Sequence, residues 1–200
     1  MNKFNISSDF SEYTKVFLEE NSKLNLISKN DEKFLFEKHI YDSLAVKLFF
    51  EKYGEDFSTI LDIGCGGGFP CVPISIEYEN IKVTGLDSIR KKINAVREIK
   101  ERLNLDNLDL ICERAENIDS KYDLVVSRAV ADMSKISDYA LPLVKNGGYF
   151  IAYKSKKALE ELALAEKVIK KYGAKVIDII EYTLPLEETF ERNLVVVKKD

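Results

Sequence analysis

Gly64, Gly66 and Gly68 punctuate the stretch ILDIGCGGGFP (60–70), immediately after a short apolar run. A strand that runs into glycines at this spacing suits a nucleotide-like cofactor, since residues without Cβ turn sharply and let the backbone approach a ligand. Several cofactor chemistries make different demands on such a loop. A P-loop requires Gly-x-x-x-x-Gly-Lys followed by Ser or Thr, and no such pair follows these glycines. The dinucleotide fingerprint Gly-x-Gly-x-x-Gly begins at Gly64 and Gly66 but meets Phe69 where its third glycine belongs. Asp62, just ahead of the loop, would repel a pyrophosphate and suits the ammonium of a methionine moiety. Asp87, closing the next predicted strand, can accept hydrogen bonds from both hydroxyls of an adenosine ribose. The pattern favours S-adenosyl-L-methionine, which has no phosphate and carries positive charge on sulfur and nitrogen.

Methyl transfer from a sulfonium is an in-line displacement, so the protein chiefly positions the nucleophile and excludes water. Absences narrow the acceptor. The Pro-Pro-aromatic motif common among enzymes that methylate exocyclic amines of bases is missing; Ser127-Arg128-Ala129-Val130 stands in its place. The Pro-Cys pair of cytosine C5 methylation is missing as well. A ring nitrogen with a free lone pair, such as guanine N7, requires neither. Arg128 ends the fourth predicted strand and could clamp a carboxylate or phosphate, or form a surface ion pair. Lys154 ends the fifth predicted strand at the same edge. The cations between Ser88 and Lys100 fit RNA phosphates or a solvated helix face. His39 and Asp42 share one face of a predicted helix. On these residues alone the acceptor stays open between RNA, a small molecule and a protein. A non-catalytic nucleotide-binding module is a further alternative.

The elements that must position these groups follow from periodicity. The first fifty-odd residues read as helices: one capped by Ser8 and carrying Tyr13, Val16 and Phe17, another from Asp31 carrying Phe34, His39, Leu44 and Leu48. From Phe57 onward, apolar runs of strand length alternate with amphipathic segments. These are TILDIG, IKVTGLD, LDLICE, YDLVVSR, YFIAYK after a Gly147-Gly148 turn, AKVIDIIEYTL and NLVVVKK. The helices between them are predicted from Pro70, over 88–103, over 133–144 and over 157–172. Such alternation predicts a doubly wound, mostly parallel sheet of six or seven strands. The last two strands are joined too tightly for a helical crossover and are expected to pair antiparallel.

The composition allows a single α/β core, with 46% hydrophobic residues including 11 Phe and 10 Tyr. The net charge of -4 carries no global signature of nucleic-acid binding, so any RNA affinity rests on local cations. With 3 Cys, no CxxC spacing and 1 His, neither a structural zinc site nor a disulfide framework is expected. No run approaches the length of a membrane span and the N-terminus lacks a signal pattern, so a cytoplasmic protein is expected.

The whole chain resembles the bacterial RsmG (GidB) family. The matching pieces run in order: NLIS (25–28), KHIYDSL (38–44), DIGCGGGFPCVP (62–73), LDSIRKK (86–92), ERAEN (113–117), YDLVVSRAVA (122–131), LPLVKNGGYFIAYK (141–154) and ERNLVVVKK (191–199). The resemblance implies a class I S-adenosylmethionine-dependent methyltransferase fold at 57–200, with a helical extension over 1–56 packed on the sheet. It implies methylation of guanine N7 in 16S ribosomal RNA, within a small-subunit particle, by a monomer. Gly64 and Phe69 would line the cofactor site, with Gly66 and Gly68 in the same loop. Ala115 and Glu116 would flank the adenine, and Arg128 would reach the cofactor, pairing with the methionine carboxylate. His39, Arg128, Lys154 and Arg192 are the catalytic candidates, the first accompanied by Asp42; no metal is implied. Cys71 and Tyr153 depart from the small and aliphatic residues usual at their positions.

Overall fold

The computed structural model describes residues 4–155 and 158–200. The apolar runs become β1 (Thr59–Ile63), β2 (Lys82–Leu86), β3 (Leu108–Ile111), β4 (Tyr122–Arg128), β5 (Val144–Ser155), β6 (Ala174–Thr183) and β7 (Glu191–Lys199). They form one 7-stranded sheet in the order β3-β2-β1-β4-β5-β7-β6. Pairing is parallel from β3 across to β5, and β7 inserts antiparallel between β5 and β6. β1 and β4 lie at the centre with helices on both sides, which is why they read as continuous apolar runs. The strand order reverses between these two, and ligands of open α/β sheets bind beyond the carboxyl ends at such a point. Gly64 leaves β1 there and Arg128 ends β4 beside it.

The helices are α1 (Ser11–Leu24), α2 (Lys29–Glu32), α3 (Val46–Tyr53), α4 (Cys71–Glu77), α5 (Arg90–Leu103), α6 (Met133–Ala140) and α7 (Ala158–Lys171). Lys157, expected to begin the last of them, lies outside the described residues. Buried Tyr13, Val16 and Phe17 of α1 share one core with the sheet's apolar side chains, so the N-terminal helices pack directly on it. Among the described residues no helix is long and apolar enough to cross a membrane.

Two local expectations are corrected. Ser8 does not cap α1; its N–H donates to Glu77 Oε2 at 3.0 Å, tying the chain to the end of α4. The helix expected from Asp31 is broken into α2, a π-helical turn over Phe36–Tyr41, and α3. A π-turn inserts one residue into a helix, so Leu35 and Ile40, five apart, are both buried across it. That turn carries His39 into the cleft described next.

Candidate active site

Two clefts open side by side at the switch point. The first encloses about 500 Å³ between the end of β1, the end of β2 and the 3₁₀ turn Ala115–Asn117. Gly64, Asp87, Ile89, Ala115, Glu116 and Val130 contribute walls. Gly64 has φ +74, and a Cβ built on it would lie 2.4 Å from Val130 Cγ2, so only glycine fits beneath that side chain. The Gly66 N–H donates to Asp87 Oδ2 at 3.0 Å, and the Ile89 N–H donates to Asp87 Oδ1 at 2.8 Å. Each carboxylate oxygen thereby keeps a lone pair for a ligand hydroxyl. Gly68 serves packing instead: its Cβ would press on Val72 at 2.7 Å.

Asp62 is fully buried behind the loop rather than on the cleft wall. Its Oδ2 accepts from the Cys71 N–H at 3.0 Å, while Oδ1 has no partner. Burial pushes its carboxyl up to about 7, partly opposed by the Cys71 N–H. An orphaned acceptor of this kind fits the cationic end of S-adenosylmethionine better than it fits any phosphate. Phe69, which the resemblance places in the cofactor site, does not line the first cleft. The ring lies 5.0 Å from both Phe17 and His39, because the apolar face of α1 draws it under the loop.

The second cleft, of about 720 Å³, gathers His39, Asp42, Arg128, Lys154 and Arg192 from four separate parts of the chain. Register explains part of this: Ser155 pairs with Arg192, so the ends of β5 and β7 meet. Arg128 lines this second cleft and not the first. Its guanidinium donates to Asp42 Oδ2 at 2.9 Å, Lys38 O at 3.1 Å and His39 Nδ1 at 3.2 Å, and it stacks over Phe69. The buried Asp42 carboxylate is the strongest attraction within reach, and Tyr182 Oη donates to its other oxygen at 2.6 Å.

Arginine only donates, so His39 Nδ1 is the acceptor and the imidazole proton sits on Nε2, which is buried without a partner. Burial, then the Arg128 cation, push His39 down to about 4. It is a neutral ring at pH 7, and the Nε2 proton of a neutral imidazole is too weakly acidic to serve as a general acid. Lys154 donates to Ala131 O and Glu161 Oε2, each at 2.6 Å. Arg192 is half-buried and makes no ion pair among the described residues. Of the basic stretch 88–100, Lys92 lines the cofactor cleft, whereas Arg90, Lys91 and Arg97 are exposed.

The clefts share only the segment Ala129–Val130 as a common wall. Sequence reasoning missed this wall, and it missed Glu161 and Tyr182. Ala129 and Val130 lay within the SRAVA motif, whereas nothing local marks a carboxylate on α7 or a tyrosine on β6 as partners of this site.

For Asp87→Ala, loss of S-adenosylmethionine affinity of about 2–4 kcal/mol is expected, taking roughly 1–2 for each ribose hydrogen bond. Calorimetric titration measures it. Unchanged affinity would leave Asp87 only its structural task of bracing the Gly66 and Ile89 amides.

Comparison with known proteins accords with this geometry. A structure of M. jannaschii TYW2 in complex with AdoMet superposes with a TM-score of 0.60 over 80% of this chain and 77% of that one, at 15% identity. That likeness establishes the fold. The Ribosomal RNA small subunit methyltransferase G of Staphylococcus saprophyticus is 42% identical over 195 residues, 95% of this chain and 80% of the relative. Its counterpart in Listeria welshimeri is 39% identical over 196 residues, 95% of this chain and 81% of the relative. The family model GidB, rRNA small subunit methyltransferase G, matches residues 6–194, and this chain belongs to that family.

Proposed function

We propose that this protein transfers the methyl group of S-adenosylmethionine to N7 of a guanine in small-subunit 16S rRNA. The observation that carries the reading is the pair of clefts meeting across one short wall, in a chain of the methyltransferase G family. In this reading Gly64, Gly66 and Gly68 shape the loop under the cofactor, and Asp87 holds its ribose. Ala115 and Glu116 flank the adenine, and the buried carboxyl of Asp62 lies behind the loop, where it favours the cationic end of the cofactor through the field it sets up. The second cleft takes the guanine. In this reading the protein acts as a monomer. The substrate is the RNA of a small-subunit particle in the cytoplasm.

When bound, S-adenosylmethionine supplies an electrophilic methyl group on a sulfonium. Guanine N7 presents a lone pair and no proton, so no general base is required, consistent with a His39 whose one lone-pair nitrogen is occupied by the Arg128 guanidinium. The residues here act by position: Arg128 and His39 form the floor of the acceptor cleft, and Arg192 offers a cation to RNA phosphate. As the bond forms, positive charge passes from sulfur to the purine.

The test uses small ribosomal subunits from cells lacking the protein. They are incubated with it and methyl-labelled S-adenosylmethionine, and the RNA is digested to nucleosides. Labelled 7-methylguanosine is the expected product. Label in another nucleoside overturns the acceptor atom, and label that resists ribonuclease but not protease, or stays with small molecules, overturns RNA as the substrate.

A further inference from the structure

The wall between the clefts is held in an unfavourable backbone conformation. Ala129, directly after β4, has φ +57, a left-handed conformation that disfavours any residue with a Cβ. The next residue, Val130, lays its side chain over Gly64. Left to itself such a segment would relax toward an ordinary extended or helical backbone and move Val130. Something must hold its far end.

That hold comes from β5 and α7. Lys154 Nζ donates to Ala131 O at 2.6 Å, and the Met133 N–H donates to Glu161 Oε2 at 2.9 Å. Glu161 Oε2 also takes the Lys154 ammonium at 2.6 Å, so one carboxylate oxygen joins both tethers. The Met133 N–H is among the unpaired donors of the first turn of α6, where a carboxylate is also favoured by the helix dipole. Asp132, between the tethered residues, caps the same helix by accepting from the Lys135 N–H at 2.9 Å. The Lys154 side chain is 11% exposed and that of Glu161 29%, so water competes weakly for this pair.

We propose that Glu161, together with Lys154, is a positioning residue of the methyl-transfer reaction. The pair anchors the Ala129–Met133 loop and thereby fixes the opening through which cofactor and acceptor meet. Lys154 was a catalytic candidate; in this assignment it works through the loop. The inference rests on the methyltransferase reading for its kinetic consequence, and on geometry alone for the anchor.

Both parts are tested on the full chain. In Glu161→Ala, amide hydrogen exchange across 127–134 should quicken while the central strands keep their protection. Unchanged exchange there overturns the anchor whether or not the protein methylates anything. On ribosomal substrate, kcat should fall about ten- to a hundredfold, as displacements near 1 Å do in bimolecular sites. The Kd for S-adenosylmethionine should move less than about threefold. Glu161→Gln keeps an acceptor oxygen for the Met133 N–H and should recover most of kcat. Lys154→Met, Glu161→Ala and the double variant should lose similar amounts, because one anchor can be lost only once. Additive losses, or a kcat that falls only with the melting temperature, overturn the positioning role. A loosened loop in a protein whose wild type methylates no RNA would keep the anchor and reject the methyltransferase reading.

Discussion

Gly64→Val is expected to abolish cofactor binding, by at least about a hundredfold in affinity, or roughly 3 kcal/mol. Two effects combine. The residue has φ +74, where a β-branched side chain adds about 1–2 kcal/mol of backbone strain. Its Cβ would also stand 2.4 Å from Val130 Cγ2, on the wall of the first cleft, and overpacking of this kind costs about 1–3 kcal/mol. Circular dichroism separates loss of fold from loss of the site, and calorimetry with S-adenosylmethionine measures the site. A companion variant, Gly64→Val with Val130→Ala, removes the clash with the loop but not the obstruction to a ligand. If the companion binds normally, Gly64 merely makes room for Val130. If it stays inactive in binding, the glycine is where the cofactor's approach demands bare backbone.

How far such a site could be read from sequence depends on the range of the interactions that build it. The glycine loop, Asp87 and the alternation of strands and helices are local patterns, and each strand stands within a few residues of its expected place. The terminal antiparallel pair followed from loop length. The breaks in the N-terminal helix were not legible, because apolar residues continue on both sides of the π-turn at Phe36–Tyr41 and no Pro or Gly marks it. The Gly147-Gly148 pair was expected to turn into the fifth strand. It lies inside β5 instead, where a register shift against β4 absorbs it. For Arg128 the ion-pair partner was not legible, for a further reason. Its strand-end position was visible, but its partner Asp42 is 86 residues away and reaches it through tertiary packing alone. Glu161 is the same case: the carboxylate acts through a strand-end lysine and a helix N-terminus, and neither pairing leaves a periodic trace.

The Arg128–Asp42 pair also carries the largest expected effect on stability. The two side chains are 14% and 8% exposed and 2.9 Å apart, with Tyr182 Oη on the second carboxylate oxygen. Removing one partner leaves the other charge buried, which typically costs about 3–5 kcal/mol. Arg128→Met should therefore lower the unfolding free energy by that amount in urea denaturation, a large share of the roughly 5–15 kcal/mol of an ordinary domain. Asp42→Asn in the same chain removes the stranded charge while its amide oxygen still accepts from Tyr182. The double variant should recover more than half of the loss, because a neutral pair needs no counter-charge. Equal losses in single and double variants would mean that Arg128 contributes through packing over Phe69 and its bond to Lys38 O, not through the pair. Recovery has a functional corollary. The double variant lacks the guanidinium that orients the His39 ring, so stability should return while methyl transfer does not. That separation would divide the work of this arginine: its charge holds the N-terminal helices to the end of β4, and its hydrogen bond to His39 shapes the floor on which the acceptor base rests.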